Sequence, residues 1–254
     1  MIIYFTGTGN SLVTARRLAE KLDEQVISMY DAVEKDLSAE KRIGLVFPTY
    51  MLDAPIAVRN LVPKLKLPKD TYIFVVITCG AQTNNAIWTV RKILKAQGVD
   101  IAYCNKIRFP DTAGLAYHRN PNDQVWKLER YASRFDALAA DIAAGKRGLH
   151  YGGMDPLGGL MHIPALADKF TRPFIPATNT EKCIGCGICQ KICPQRNIKI
   201  EEKHAVVGDQ CTLCLCCVHF CPHQALELGG KPTLKSYQYH HPDIKVQDLY
   251  RARS

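Results

Sequence analysis

Nine of the 11 cysteines of the chain lie in one short segment, between Cys183 and Cys221. They form two runs with the same spacing, Cys-x2-Cys-x2-Cys-x3-Cys-Pro. The first run consists of Cys183, Cys186, Cys189 and Cys193 before Pro194, and the second consists of Cys211, Cys214, Cys217 and Cys221 before Pro222. Thiolates at i, i+3 and i+6 can hold three iron corners of a cubane, so the two runs predict two 4Fe-4S clusters.

Each cluster needs a fourth thiolate, which in paired runs of this spacing comes from the last cysteine of the other run. We therefore expect one cluster on Cys183, Cys186, Cys189 and Cys221, and the other on Cys211, Cys214, Cys217 and Cys193. Cys216 breaks the pattern. It would be a ligand only if the register slipped by one residue, and we otherwise expect a buried, small apolar side chain.

Two other uses of clustered cysteines fit this segment less well. Structural zinc sites usually have two Cys-x2-Cys pairs separated by a longer loop, without a third cysteine at +6. Disulfides need an oxidising compartment, and the sequence begins MIIYFTGTGN without the basic region of a signal peptide. The sequence therefore favours iron–sulfur clusters in a cytoplasmic protein, and the oxygen sensitivity of exposed clusters favours an anaerobic host.

A second set of residues that could do chemistry forms a loop near the N-terminus. It consists of Thr6, Gly7, Thr8, Gly9, Asn10 and Ser11. The loop lacks the lysine of a nucleoside triphosphate-binding loop and the third glycine of a dinucleotide fingerprint. Hydroxyl groups, backbone N–H groups and a helix N-terminus remain, and together they suit a phosphate monoester.

Two further loops follow predicted strands. One consists of Pro48, Thr49, Tyr50 and Met51, and the other begins with Thr78, Cys79, Gly80 and Ala81 and continues to residue 84. Tyr50 offers a flat face to a ring, although a core aromatic residue explains it equally well. A packing role explains Cys79 better than redox chemistry, because no resolving cysteine lies near it in the sequence. Together with the phosphate loop, these loops predict a site for flavin mononucleotide (FMN).

Alternating strand and helix patterns over residues 1–148 position these loops. Strands are predicted at residues 2–6, 25–29, 42–47, 72–78 and 101–107, and helices at residues 11–22, 84–97 and 123–144. This order predicts an α/β fold with a parallel sheet. Such sheets bind ligands at the carboxyl ends of their strands, where all three loops are expected.

The sequence YFTGTGNS resembles the phosphate loop of flavodoxins, and Pro48-Thr49-Tyr50-x4-Pro55 resembles the loop beside their isoalloxazine ring. With the two cysteine runs, the chain resembles bacterial and archaeal fusions of a flavodoxin-like domain to a two-cluster ferredoxin domain. The resemblance implies a doubly wound, five-stranded parallel sheet in the order 2-1-3-4-5, and a small α+β ferredoxin-like domain. It also implies FMN phosphate at residues 6–11, and ring contacts at residues 48–51 and 78–81.

The sequence departs from many flavodoxins in two respects. The third loop has no aromatic residue, so one face of the flavin ring is expected to be open, or covered by Trp88, Tyr117 or the second domain. Free flavodoxins are usually acidic, whereas this chain has a formal net charge of +9. The basic charge predicts partners that differ from those of flavodoxins.

Four segments are predicted. Residues 1–148 form the FMN-binding domain, and residues 177–230 form the two-cluster domain. Residues 149–176 are rich in Gly and Pro yet apolar, so we expect them to pack between the domains or over the flavodoxin core. The tail, residues 231–254, either wraps the second domain, marks a partner surface or frays. His240 and His241 are weak candidates for metal ligands, because no further ligand is suitably spaced.

The chain has no run of Lys or Arg and no nucleic-acid-binding motif, so its basic charge indicates ordinary surface or a docking face for an acidic redox partner. The longest apolar stretch, residues 72–77, is too short to span a membrane. The oligomeric state is left open by the sequence.

The leading interpretation is an electron-transfer protein in which two one-electron clusters exchange electrons with FMN, which can accept one or two. The alternative is an FMN-dependent oxidoreductase, fed by the clusters, that reduces a small quinone or enone over an open ring face. A redox sensor or assembly factor is a third, weaker interpretation. In the leading interpretation the site residues are cluster ligands and cofactor contacts, and no residue acts as an acid, base or nucleophile.

Overall fold

The computed structural model describes residues 1–113, 120–150 and 172–250. Its N-terminal part is built on one parallel sheet of six strands in the order β2-β1-β3-β4-β5-β6. The strands are β1 (Ile2–Tyr4), β2 (Val26–Ser28), β3 (Arg42–Pro48), β4 (Tyr72–Cys79), β5 (Tyr103–Arg108) and β6 (Gly148–Leu149). The order of the first five strands confirms the predicted 2-1-3-4-5 arrangement.

The sheet differs from the prediction at its edge, because it has a sixth strand instead of ending at five. β6 pairs in parallel with β5 through only Tyr103–Gly148 and Cys104–Leu149. Two residues are too few to show an alternation of apolar and polar side chains, so the pattern used to predict strands does not detect them. The predicted domain boundary at residue 148 falls inside this strand.

Helices cover both faces of the sheet. They are α1 (Asn10–Leu22), α2 (Met29–Ala32), α3 (Ile56–Leu61), α4 (Ala86–Ala96) and α5 (Trp126–Ala143). α1 and α5 pack on one face and α3 and α4 on the other. Val75 and Val76 of β4 belong to different cores because successive side chains of a strand point to opposite faces. A strand covered on both sides must be apolar throughout, as residues 73–77 are.

Two helices begin later than predicted. The helix expected from residue 84 begins at Ala86, and the helix expected from residue 123 begins at Trp126. A 3-10 turn, Pro121–Gln124, precedes α5. None of the described helices is both long and apolar enough to cross a bilayer.

The C-terminal part is a small α+β unit with two similar halves. Strand β7 (Pro176–Thr178) pairs with β10 (Leu226–Leu228), and β8 (Ile198–Glu201) pairs with β9 (His204–Val207), both antiparallel. A short helix follows the cysteine turn of each half, α6 (Ile188–Ile192) in the first and α7 (Cys216–His219) in the second. A separate apolar core that includes Ile198, Val218 and Leu226 holds the halves together.

The chain after β10 returns to the N-terminal part, and we name residues 238–250 the strap. Its Gln238 donates hydrogen bonds to the carbonyl groups of Val218 and Cys221. Further along, Ile244 is buried in the core beneath α1 and α5. The strap therefore contacts both parts of the molecule. Most of the apolar segment predicted between the domains, and Tyr117, lie outside the described residues.

Candidate functional site

A cleft lies at the carboxyl ends of β1, β3 and β4. Doubly wound parallel sheets bind ligands at this edge. Residues of the three predicted loops line it together: Thr6, Gly7, Thr8, Asn10, Ser11, Pro48, Thr49, Tyr50, Met51, Thr78, Cys79 and Gly80. The topology has thus brought together three loops that are distant in sequence.

Two of the predicted contact residues do not line the cleft. Gly9 has a φ of 96°, and a Cβ atom there would lie 2.7 Å from the Ile244 side chain of the strap. Ala81 is exposed, and its carbonyl group accepts a hydrogen bond from Arg108 Nε. Gly9 therefore lies on the side of the phosphate loop that packs against the strap, and Ala81 lies on the outer side of the third loop.

The phosphate loop ends at the N-terminus of α1, a helix of 13 residues. The first backbone bond of the helix joins Val13 N–H to Gly9 O, so the preceding N–H groups of the first turn have no intrahelical acceptor. Ser11 Oγ lies 2.7 Å from Thr78 Oγ1, which links this loop to the third loop. Free N–H groups, hydroxyl groups and the helix dipole make this end of the cleft suitable for a phosphate.

The second loop is held in a tight, strained turn. The backbones of Tyr50 and Asp53 exchange two hydrogen bonds of 2.9 Å, and Met51 and Leu52 between them have φ values of 48° and 64°. Buried Asp53 supports the turn because its carboxylate accepts hydrogen bonds from Ala54 N–H and from the Thr89 hydroxyl. Backbone strain of this kind is often found in loops that hold ligands.

Tyr50 lies where the cleft meets the second cysteine run. Its ring packs edge-on against Phe5, with centroids 6.2 Å apart. A Cβ atom on Gly7 would lie 2.4 Å from both the Tyr50 hydroxyl and the Cys214 carbonyl oxygen. Burial and the neighbouring thiols raise the pKa of Tyr50 well above its usual value. Gly7 is thus the point at which the phosphate loop, the second loop and the cysteine run meet.

Sequence reasoning missed two parts of the cleft wall, residues 109–113 after β5 and residues 213–215 of the second cysteine run. Phe174 also lines the cleft, and it belongs to the apolar segment that was expected to pack between the domains or over the flavodoxin core. The rule that ligands bind at carboxyl ends of strands points to the loop after β5 as well. Nothing local in the sequence indicates that Leu213, Cys214 and Leu215 approach the cleft. The second domain therefore contributes to the cleft wall, whereas Trp88 packs against the core under α3 and α4.

The structure brings Cys221 of the second run to the first three cysteines. A separate cavity is lined by Cys183, Cys186, Cys189 and Cys221, which we name the surface cysteine set. Burial and the other three thiols raise the pKa of Cys189 to about 11. A thiol of this kind stays protonated unless a metal replaces the proton. The set supports the crossed ligand assignment for the first cluster.

Cys193 of the first run lies among the other cysteines of the second. We name Cys193, Cys211, Cys214 and Cys217 the cleft cysteine set. The thiols of Cys211, Cys214 and Cys217 each interact electrostatically with Cys193. Burial raises the pKa of Cys214 to about 12, with a smaller contribution from the nearby thiols. Cys216 is also buried and close to Cys214 and Cys193, so its role as a non-ligand stays a prediction.

The two cysteine turns have the same backbone shape. Gly185 and Gly187 have φ values of 66° and 74°, and Leu213 and Leu215 at the equivalent positions have 58° and 53°. Backbone N–H groups also point at ligand sulfurs. Asn197 N lies 3.4 Å from Cys193 Sγ, and Ala225 N lies 3.3 Å from Cys221 Sγ. Such N–H···S contacts raise the reduction potential of iron–sulfur clusters.

The two sets differ in exposure. Cys186 is exposed and its neighbour Ile184 is 62% exposed, so the surface set opens to solvent. Cys217 is 8% exposed, and Cys214 lines the cleft at the carboxyl ends of the strands. One candidate cluster site therefore faces solvent and the other faces the cleft.

Comparison with known proteins agrees with the interpretation of the cysteine runs. The family described as 4Fe-4S binding domain matches residues 176–199. A pyruvate synthase subunit of Thermotoga maritima is 35% identical over 80 residues, which cover 29% of this chain and 80% of that protein. A ferredoxin of Methanocaldococcus jannaschii is 39% identical over 67 residues, or 24% of this chain and 42% of that protein. A protein of an ion-translocating oxidoreductase complex of Methanosarcina acetivorans is 45% identical over 47 residues, which cover 18% of each chain.

Distant structural similarity extends over the N-terminal part. An archaeal flavodoxin matches 56% of this chain and 94% of its own with 15% identity and a TM-score of 0.40. The flavodoxin of Megasphaera elsdenii matches 41% of this chain and 82% of its own with 19% identity and a TM-score of 0.35. The flavodoxin-like fold is established by the strand order of the sheet itself and not by these matches. The chain therefore belongs, through its C-terminal region, to the family of 4Fe-4S binding ferredoxins, and it carries that region behind a flavodoxin-like domain as a flavodoxin–ferredoxin fusion.

Proposed function

We propose that this protein transfers electrons between a protein partner and FMN through two 4Fe-4S clusters. The surface cysteine set holds the cluster that exchanges electrons with the partner. The cleft cysteine set holds the cluster that exchanges electrons with FMN. Because clusters carry one electron each and FMN accepts one or two, the molecule converts between one-electron and two-electron carriers.

One observation carries this proposal. Cys214, a predicted cluster ligand, lines the same cleft as the three predicted FMN loops. Its carbonyl oxygen and the Tyr50 hydroxyl lie within 2.4 Å of the position that a side chain on Gly7 would take. A cluster on the cleft set is then separated from FMN by little more than one layer of side chains.

The residues of the cleft fit FMN at both ends. The N-terminus of α1 and the hydroxyls of Thr6, Thr8 and Ser11 would hold the phosphate. Tyr50 and the third loop would contact the ring, with Leu213 and Leu215 towards the cluster. When bound, FMN supplies the capacity to accept and release electrons, while the protein positions it and excludes water.

The alternative function, reduction of a small organic substrate, needs an uncovered face of the ring. Leu213, Cys214 and Leu215 of the second cysteine run line the cleft. This approach of the cluster region to the cleft favours electron exchange with the cluster over hydride transfer to a substrate. Multiple-turnover reduction of a quinone or enone by the loaded protein, with electrons fed through the clusters, would support the alternative instead.

The proposal is tested by removing the cleft cluster with Cys214→Ser in the full chain, purified without oxygen. The iron content is expected to fall from about eight to about four atoms per chain. The FMN content should be retained. Reduction of FMN by a reduced small ferredoxin should slow, because the last carrier before FMN is missing, and stopped-flow absorbance of the flavin band measures the rate.

Two controls make this test interpretable. Cys104→Ser changes a buried cysteine of β5 that is neither a predicted ligand nor part of the cleft lining, and it should leave the iron content and the rate unchanged. Dithionite is small enough to reduce FMN directly, so its rate should be the same in Cys214→Ser and the unaltered protein. An unaltered rate from ferredoxin to FMN without the cleft cluster would contradict the proposed route, and absence of FMN from the purified protein would contradict the cofactor.

A further inference from the structure

Three cationic side chains hold the third loop of the cleft from outside. Lys127 Nζ donates a hydrogen bond of 2.7 Å to Gly80 O, and Arg108 Nε donates one of 3.0 Å to Ala81 O. Lys106 Nζ donates one of 2.6 Å to Gln82 Oε1. We name Lys106, Arg108 and Lys127 the cationic collar. Lys106 and Arg108 belong to β5 and Lys127 belongs to α5. None of the three is part of the phosphate loop or of the cysteine runs.

The field of the collar reaches the cleft. Burial raises the pKa of the Cys79 thiol, which lines the cleft, to about 11, and all three cations act as electrostatic neighbours that oppose this rise. Asp111, whose Cβ lies 2.8 Å from where a Cβ of Gly80 would be, opposes them. Among the described residues, the charged groups that act on the Cys79 thiol are these three cations and Asp111. Their formal charges sum to +2 on this side of the cleft.

Part of this charge is poorly screened. Burial lowers the pKa of Lys127, so its ammonium group is partly desolvated where it touches the loop. Charges held away from water act more strongly on their neighbours than exposed charges do. The cleft wall at Cys214 has the opposite sign once a cluster is bound, because an oxidised cluster with four thiolates carries about −2.

We propose that the cationic collar selectively stabilises the reduced form of FMN and so makes FMN the electron acceptor for the cleft cluster. FMN that takes up two electrons and one proton gains one negative charge. The two electrons come from the cleft cluster in separate transfers and the proton comes from solvent. The collar attracts the added charge, whereas the anionic cluster repels it. This inference rests on the proposed FMN site.

The proposal predicts a specific change in affinity. In Lys127→Gln, the Kd of reduced FMN should rise by about tenfold relative to that of oxidised FMN, as expected for loss of one charge several ångströms from another in a partly buried site. Ultrafiltration of the iron-loaded chain, with oxidised or dithionite-reduced FMN, gives both Kd values from the free flavin. Arg108→Gln should shift the ratio in the same direction by a smaller factor, because Arg108 is exposed.

Three further variants separate charge from structure. Lys127→Arg keeps the cation and should keep the ratio of the two Kd values. Asp111→Asn removes the opposing carboxylate and should tighten binding of reduced FMN. Arg134→Gln removes an exposed cation on α5, about 10 Å further along the helix, and should leave the ratio unchanged.

The outcomes distinguish this inference from the function on which it rests. An unchanged ratio in both Lys127→Gln and Asp111→Asn, with FMN still bound, would overturn the role of the collar and leave the FMN site intact. A similar rise of both Kd values in Lys127→Gln, not restored in Lys127→Arg, would show that Lys127 only supports the loop and would also overturn it. Failure of the unaltered chain to bind FMN in either state would overturn the proposed function itself.

Discussion

At the scale of single residues, the two cysteine turns show how one backbone shape serves two surroundings. The left-handed positions are Gly185 and Gly187 in the surface turn, where glycine adopts them without strain. Leucine at the equivalent positions 213 and 215 adopts the same conformation at a cost of about 1 kcal/mol each. Both leucines line the cleft. We infer that the backbone strain is tolerated because these side chains separate the cluster from the flavin and exclude water.

We expect Leu215→Gly to relieve backbone strain and to weaken the binding of FMN. Glycine removes the left-handed strain but also removes the side chain from the cleft wall, which admits water. The Kd of FMN and the iron content measure the two effects separately. Lys203→Gly is the control, because Lys203 also has a positive φ, 65°, but is exposed in the turn between β8 and β9. Unchanged FMN affinity in Leu215→Gly would contradict a role for this wall.

The crossed assignment of ligands is testable with pairs of substitutions. If Cys221 completes the surface set, Cys186→Ser with Cys221→Ser removes one cluster, and about four iron atoms per chain remain. Cys186→Ser with Cys193→Ser then removes one ligand from each set and depletes both clusters. Uncrossed ligands would give the opposite result for the two pairs. Cys216→Ser should retain about eight iron atoms per chain, and a loss of iron there would identify Cys216 as a ligand.

At the scale of elements, the strap explains how a second domain is held against the phosphate loop. His241 N–H donates a hydrogen bond of 2.9 Å to Thr8 O, and the Tyr239 hydroxyl donates one of 3.0 Å to Asn10 Oδ1. Arg16 and Arg17 of α1 form ion pairs with Asp248 and Asp243. The strap thus supports two residues of the FMN cleft from the side opposite to the flavin.

The strap should loosen at acidic pH because of His241. Its Nδ1 accepts a hydrogen bond of 3.2 Å from Asp243 N–H, which requires a neutral ring, and burial lowers its pKa to about 4. The charge of Asp243 acts to raise the pKa of His241, whereas Arg17 and His240 act to lower it. The ring of Phe109 packs edge-on against the His241 ring. Because the unfolded chain binds this proton near pH 6.5, the unfolded state holds more protons between pH 6.5 and 4. The free energy of unfolding therefore falls as the pH decreases through that window.

From pH 7 to pH 5, His241 is expected to account for about 2 kcal/mol of this loss. Thermal unfolding of the unaltered protein and of His241→Asn at both pH values measures it, since asparagine can accept the same hydrogen bond without titrating. The loss common to both proteins includes other groups and the clusters, and the difference between them belongs to His241. Equal losses of stability in the two proteins would contradict the prediction.

The sequence predicts some elements and contacts well and others not at all, for physical reasons. The apolar runs of β1, β3 and β4 reflect burial on both faces, so the α/β class could be predicted, whereas the strand order came from the resemblance to flavodoxins. Cysteine spacing is local, so the runs could also be recognised directly. By contrast, β6 has two residues, and the contacts of the strap with Thr8 and Asn10 join residues more than 200 positions apart. Such contacts follow from tertiary packing and leave no periodic pattern.

At the scale of the whole molecule, the candidate sites form a series from solvent to the sheet. The surface cysteine set is open to solvent beside Ile184, the cleft set lies inside, and the FMN cleft is at the carboxyl ends of the strands. Electrons entering at one end would meet the carriers in that order. On the proposed route, the partner meets the surface cysteine set and FMN lies against the cleft cysteine set.

The exposed side chain of Ile184 is therefore expected to contact the protein that exchanges electrons with the surface cluster. Ile184→Asp should slow reduction of the loaded protein by a reduced small ferredoxin by about tenfold, because burial of an aliphatic side chain contributes about 1.5–3 kcal/mol and a charge in its place opposes docking. Reduction by dithionite should not change, since it needs no docking surface. Leu234→Asp is the matched control, because Leu234 is 48% exposed on the same C-terminal part. Equal slowing in both variants, or none in Ile184→Asp, would place the docking site elsewhere on the molecule.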